Sequence, residues 1–122
     1  MVVLGWIVGV LVAVGFGLAG ASKLAGAQQM VDSAERLGFT SLLRPIGAAE
    51  VLGAIGVLIG LIAPDIEWLG VLAAAGLVAT TIGAVVYHRR GGDAPQEMAP
   101  AIVLGALSVV YIIALFFNDL PA

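Results

Sequence analysis

Apolar residues fall into four long runs, at Val2 to Ala21, Ile46 to Ile62, Trp68 to Tyr87 and Ala99 to Phe117. Each run holds about 17–20 residues, and at about 1.5 Å of rise per residue that length crosses a hydrocarbon core of roughly 30 Å. Backbone groups find no water to bond to inside such a core, so runs of this length are expected to be helical. No alternation of the barrel type interrupts them. The pattern therefore predicts an all-α fold, a transmembrane four-helix bundle with short loops. Residues 1–122 would form a single membrane domain with spans at about 2–21, 46–62, 68–87 and 99–117. The stretch Gln28 to Leu37 has a different rhythm. Met30, Ala34 and Leu37 recur at helical spacing, while Asp32 and Arg36 form an i,i+4 pair on another face. This predicts one short amphipathic helix, at about 28–37, lying in the membrane interface.

The polar stretches set the connections. Pro45 stands where a first-turn proline is tolerated, opening the second span. Ala63 to Glu67 is short enough to make spans two and three a tight antiparallel hairpin. His88 to Met98 contains Gly91-Gly92-Asp93 and reads as an irregular turn. Small residues recur at every fourth position, at Gly5-Gly9-Ala13, Ala49-Gly53, Gly56-Gly60, Ala75-Ala79-Gly83 and Ala101-Gly105. Such stripes allow close helix packing in lipid. With 17 glycines in the chain, chance matches are common, and packing inside one bundle is the expected use.

Composition settles which solvent the chain needs. Of the 122 residues, 61% are hydrophobic and only 11% charged, where a soluble domain carries about 25% charged residues. Lipid must cover most of the surface. Ala19-Gly20-Ala21 resembles a signal-peptidase site. However, no Lys or Arg precedes the first run, and the run exceeds the roughly 7–15 residues of a signal core, so this helix is expected to be retained.

Charge then sets the orientation. Lys23, Arg36, Arg44, Arg89 and Arg90 all lie in loops 1–2 and 3–4, whereas Asp65, Glu67 and Asp119 mark the other side. The positive-inside rule places both termini outside. Trp6, Trp68, Phe116 and Phe117 would sit at the outer interface, and Phe39 and Tyr87 at the inner one. Five basic residues spread over two loops form no stripe for phosphates, so nucleic acid is not an expected partner. The absence of cysteine rules out thiolate metal ligation, iron–sulfur ligation and disulfide exchange by this chain itself. Its one histidine cannot supply two axial haem ligands. No metal site and no covalently bound cofactor is expected.

Candidate chemistry concentrates at one depth. Glu50 lies about one and a half turns inside the second span, where an ionised carboxylate facing lipid is costly, so it should face the bundle. Lys23 ends the first span and His88 the third on the same side. The three groups could meet beneath the inner headgroups. Either Lys23 and Glu50 form a salt bridge pinning helices one and two, or the cluster is a polar pocket that binds a head group or relays protons. Thr80 and Thr81 are expected to bond to the preceding turn of their own helix. Tyr111, deep in the fourth span, needs a partner for its hydroxyl and is the other candidate pocket residue. No residue is singled out as catalytic.

Three segments resemble the DoxX-like family of small bacterial membrane proteins: Ala19-Gly20-Ala21-Ser22-Lys23-Leu24, Ile46 to Gly56 with Glu50 at its centre, and Ala84 to Asp93 with His88-Arg89-Arg90. The resemblance covers nearly the whole chain and implies a four-helix membrane bundle in the bacterial cell membrane. The family takes its name from a subunit of a thiosulfate–quinone oxidoreductase, which implies a link to membrane redox complexes and a quinone as candidate ligand. Three functions compete. The chain could be the quinone-linked subunit of a membrane oxidoreductase, a non-catalytic accessory protein held to other membrane subunits, or a binder or carrier of a small amphipathic molecule or lipid. Independent catalysis ranks below all three. A transporter would show discontinuous spans and clear repeats, which this sequence lacks.

Overall fold

The structure, a computed structural model, describes residues 2–117; Asp119, assigned above to the outer side, lies outside the described residues. Five α-helices follow one another: α1 (Val2–Leu24), α2 (Gln28–Leu37), α3 (Leu43–Ile62), α4 (Glu67–Arg90) and α5 (Pro95–Phe116). Four of them, α1, α3, α4 and α5, are long and apolar enough to cross a membrane. The fold is all-α, as the four-run pattern predicts.

The helices extend past the expected spans. α1 continues to Leu24, α3 begins at Leu43, and α4 runs on to Arg90. Polar residues such as Lys23 and Arg90 continue a helix that has already formed, because their stems cover apolar surface while the heads reach out. The expected 88–98 turn shrinks in the same way to residues 91–94, since Pro95 occupies the first turn of α5, where no N–H is needed. Pro100 is then carried within that helix.

Packing follows a closed ring: α1 lies against α3, α3 against α4, α4 against α5, and α5 against α1. The diagonal pairs do not approach along their backbones among the described residues. The core is built from Val8, Val12 and Phe16 of α1, Val57 and Leu61 of α3, Ala74 and Leu77 of α4, and Tyr111 and Leu115 of α5. Tyr111 bridges the ring: it is 0% exposed and donates from its hydroxyl to the Val57 carbonyl of α3, 2.9 Å away. The outer surface carries exposed Val3, Leu18, Leu52, Ile62, Leu72 and Ile82, an apolar girdle of the kind lipid covers.

Glycine sets how closely the ring closes. A Cβ on Gly60 would stand 2.6 Å from the Gly70 Cα of α4, and one on Gly56 would stand 2.6 Å from the Ala73 Cβ. A Cβ on Gly9 would meet Leu61 and Tyr111, and one on Gly105 would meet Thr81. These small-residue positions face neighbouring helices of the same chain. Ala75 and Ala79 of the α4 stripe are exposed instead.

α2 sits across one end of the ring, touching α1, α3 and α4. Its bounds coincide with the amphipathic stretch. Ala34 is fully buried, whereas Gln28, Gln29, Asp32, Glu35 and Arg36 are exposed. Its apolar face is thus turned onto the bundle. Glycines in the left-handed region flank the helix, Gly26 at φ 70° and Gly38 at φ 84°, a conformation that disfavours residues with a Cβ. Gly38 and Phe39 both donate backbone N–H groups to the Ala34 carbonyl, closing the C-terminus of α2.

Candidate functional site

Beneath α2 the ring leaves a cavity of about 600 Å³. All five helices line it: Phe16 and Lys23 from α1, Met30 and Leu37 from α2, Glu50 from α3, Thr81 and His88 from α4, and Leu104 from α5, among others. Its size and mostly apolar walls fall in the range of small-molecule sites.

The polar end of the cavity is built by a backbone contact between α1 and α3. A Cβ on Gly20 would lie 2.6 Å from the Gly47 carbonyl oxygen, and a Cβ on Gly47 would lie 2.8 Å from both the Gly20 oxygen and the Lys23 Cβ. Only hydrogen fits at either position. Each glycine lies three residues from a charged partner, Gly20 before Lys23 and Gly47 before Glu50, so this contact brings the two side chains together. Lys23 Nζ stands 2.7 Å from Glu50 Oε1. The carboxylate is buried, at 5% exposure, and apart from this ion pair Oε1 has no hydrogen-bond partner. The side wall adds Thr80 and Thr81, whose hydroxyls donate to the Gly76 and Leu77 carbonyls at 3.0 and 3.1 Å.

A second ionic group ties down the roof. Arg36 of α2 pairs through both guanidinium Nη atoms with the two carboxylate oxygens of Asp93, in the α4–α5 turn. His88 Nδ1 lies 2.5 Å from Asp93 Oδ2, and Glu97 stands 3.9 Å from Arg36. Asp93 is the buried centre of the group, with 5% of its side chain exposed. The Arg36 hydrogen bonds, and then that of His88, hold its carboxyl down at about 2 from an ordinary 3.8, against the opposing effect of burial. The same contact raises Arg36 above its ordinary value. An aromatic pair reinforces the tie: the rings of Phe39, just after α2, and Tyr87 of α4 lie 5.2 Å apart at 47°.

A model of the DoxX-like family matches residues 7–111. The chain belongs to the DoxX-like family. The match runs from α1 through most of α5, so it takes in Lys23, Glu50, His88 and Asp93. Neither a curated protein nor a solved structure matches the chain. Family and fold together make this DoxX-like chain a multi-pass membrane protein.

Of the four candidate residues, Lys23, Glu50 and His88 line one cavity in this DoxX-like bundle, and the first two form an ion pair. His88 is committed to Asp93. Tyr111 does not line the cavity; it lies in the packed core bonded to Val57. The i,i+4 pair expected between Asp32 and Arg36 is replaced. Asp32 accepts from Gln28 at 2.7 Å, while Arg36 reaches the buried Asp93, where a bidentate pair outweighs an exposed helical one. Asp93 and the Gly20–Gly47 contact were not anticipated as site features. The aspartate had a signal, an acidic residue inside a Gly-Gly turn following His-Arg-Arg, but its distant partner had none.

Proposed function

We propose that this DoxX-like protein is a non-catalytic accessory membrane protein that holds a small amphipathic molecule in the cavity beneath α2. The observation that carries this reading is the cavity itself. It has about 600 Å³ of space, apolar walls, and one buried charge pair at its edge, in a bundle otherwise closed by glycine contacts. A bundle that needed only mechanical stability would gain from filling that space with side chains. The basic bias of the two loops favours placing the α2 end on the cytoplasmic side of a bacterial cell membrane, with both termini outside. The occupant's head would then lie beneath the inner headgroups.

A quinone-linked role is the second reading. The titratable Lys23, Glu50 and His88 along the lining favour it, since such groups can hold or move protons at a carbonyl. A quinone carbonyl would accept from the Lys23 ammonium, which carries protons to donate, although it brings no donor for Glu50 Oε1. A quinone would supply two-electron redox chemistry, with a partner subunit delivering the electrons. This chain's residues would bind, orient and keep water from the head.

Purification from native membranes in mild detergent, followed by mass spectrometry of bound small molecules and co-purifying subunits, tests the reading. Ala84→Trp, which projects an indole into the cavity wall, should strip the bound molecule while leaving the helical content unchanged. Equal retention in wild type and variant would place the molecule elsewhere.

A further inference from the structure

The charges and hydrogen-bond donors around the cavity narrow what it can hold. Among the described residues, no basic group lining it lacks an acidic partner: Lys23 faces Glu50 at 2.7 Å and His88 faces Asp93 at 2.5 Å. The opposite charges of Lys23 and Glu50 cancel. A ligand that brought its own charge to this depth would bring it without a counter-charge, and a buried, uncompensated charge is costly. That argues against carboxylate and ammonium heads alike.

Hydrogen bonding narrows the choice further. Glu50 Oε1 is a buried acceptor without a hydrogen-bond partner, and the side chain that carries it faces the cavity. The Thr80 and Thr81 hydroxyls of the side wall spend their protons on their own helix, so they offer acceptor lone pairs only. The one donor beside Glu50 is the Lys23 ammonium, which has three protons. At its Glu50 end the cavity therefore presents an acceptor that needs a proton beside one cation that can donate, while Gln29, Ser33 and Tyr87 add further polar groups to the lining. A hydroxyl is the smallest uncharged group that both donates and accepts at a single atom. A ketone or quinone carbonyl only accepts and would leave Oε1 unpaired.

We infer that the cavity takes an uncharged amphiphile with a hydroxyl head, which donates to Glu50 Oε1 and accepts from the Lys23 ammonium while its apolar body lies between Phe16 and Leu104. The inference rests on the ligand-binding reading above and assigns the class of ligand to that site. Other amphiphiles of equal apolar length reach the cavity but leave either a charge or an acceptor uncompensated.

The test uses four photo-reactive probes with the same alkyl-diazirine chain and an alcohol, ketone, primary amine or carboxylate head. Each is irradiated with the full chain in nanodiscs, and the adducts are mapped by mass spectrometry. The alcohol should label the cavity walls about tenfold more than the ketone, the ratio expected for one hydrogen bond to a charged group. Glu50→Gln leaves the Lys23 cation unpaired, so the carboxylate probe should become the strongest label. Equal labelling by all four heads would overturn the hydroxyl assignment while leaving a purely apolar binding site, as would a wild-type preference for the carboxylate or the amine. Absence of cavity labelling by every probe would remove the ligand-binding reading itself. An alcohol preference that survives Glu50→Ala unchanged, where no acceptor is left at that position, would overturn the proposed hydrogen bond to Oε1.

Discussion

Gly60 gives the sharpest test of the packing. In Gly60→Ala the new Cβ would stand 2.6 Å from the Gly70 Cα, 3.0 Å from the Gly70 nitrogen and 2.7 Å from the Tyr111 hydroxyl. Carbon atoms prefer separations of about 3.5–4.0 Å, so the shortfall is about 1 Å. The obstacle is backbone on one side, which cannot rotate away. α3 and α4 must therefore separate, and the Tyr111 hydroxyl must shift from its bond to Val57. Overpacking of this kind costs about 1–3 kcal/mol, and an interhelical hydrogen bond in a membrane contributes about 0.6 kcal/mol more. Replacing helical glycine by alanine returns about 1 kcal/mol, which leaves a net loss of about 0.6–2.6 kcal/mol. Gly76 supplies the control: it lies on the same helix pair's outer face, where a Cβ would meet nothing within 4 Å. Gly76→Ala should therefore be neutral or stabilising by up to about 1 kcal/mol. Reversible unfolding in mixed micelles, followed by tryptophan fluorescence, measures both. If the two variants unfold within about 0.5 kcal/mol of each other, a resolution typical of additive sites, the close α3–α4 crossing is not what the glycine provides.

Arg36→Ala should leave the four long helices intact but speed amide exchange across α2 by hydrogen–deuterium mass spectrometry. Because the Asp93 carboxyl titrates at about 2 in the folded state against an ordinary 3.8, the Arg36–Asp93 latch contributes in full above that ordinary value and is lost as pH falls through about 2; exchange in α2 that rises already near neutral pH would contradict the assignment. Lys23→Met and Glu50→Gln should each destabilise the bundle, by less than the roughly 3–5 kcal/mol lost on breaking a buried pair in a soluble protein, since 14% of the Lys23 side chain stays exposed. The double variant should recover much of that loss, and simple additivity would show the pair uncoupled. Single cysteines at positions 36 or 90 should resist an impermeant thiol reagent on intact cells while one at position 66 reacts, and the reverse pattern would invert the proposed orientation.

The fold was legible because its grammar is simple. Apolar runs long enough to span lipid can only be helices, and the alternation of Met30, Ala34 and Leu37 against charged neighbours marked α2 within its observed bounds. The pairing of Lys23 with Glu50 was legible for the same reason, since an embedded carboxylate restricts its partners to groups at equal depth. Tyr111 misled because depth along a helix says nothing of rotation about it. Its hydroxyl needed a partner, as expected, but found a carbonyl on the diagonal helix rather than the cavity. Arg36 misled because an i,i+4 acid is visible in sequence, whereas Asp93 comes near only when the ring has closed. Gly20 and Gly47 were hidden among 17 glycines, since composition does not tell which of them meet.

The Arg36–Asp93 contact also carries a consequence for biosynthesis. Its partners are separated by 57 positions, and at about 5–20 residues per second translation takes roughly 3–11 s to reach the second after the first. Throughout that interval α3 and α4 must enter the bilayer with α2 already made but lacking its counterpart on the α4–α5 turn. The α2 roof therefore gains this tie only after the chain that supplies Asp93 has been synthesised, and on the proposed ligand-binding reading an amphiphile in the membrane would meet an incomplete bundle before α5 is in place. On that reading, loading during synthesis and loading of the finished protein would be different events, set apart by the closing of the Arg36–Asp93 pair.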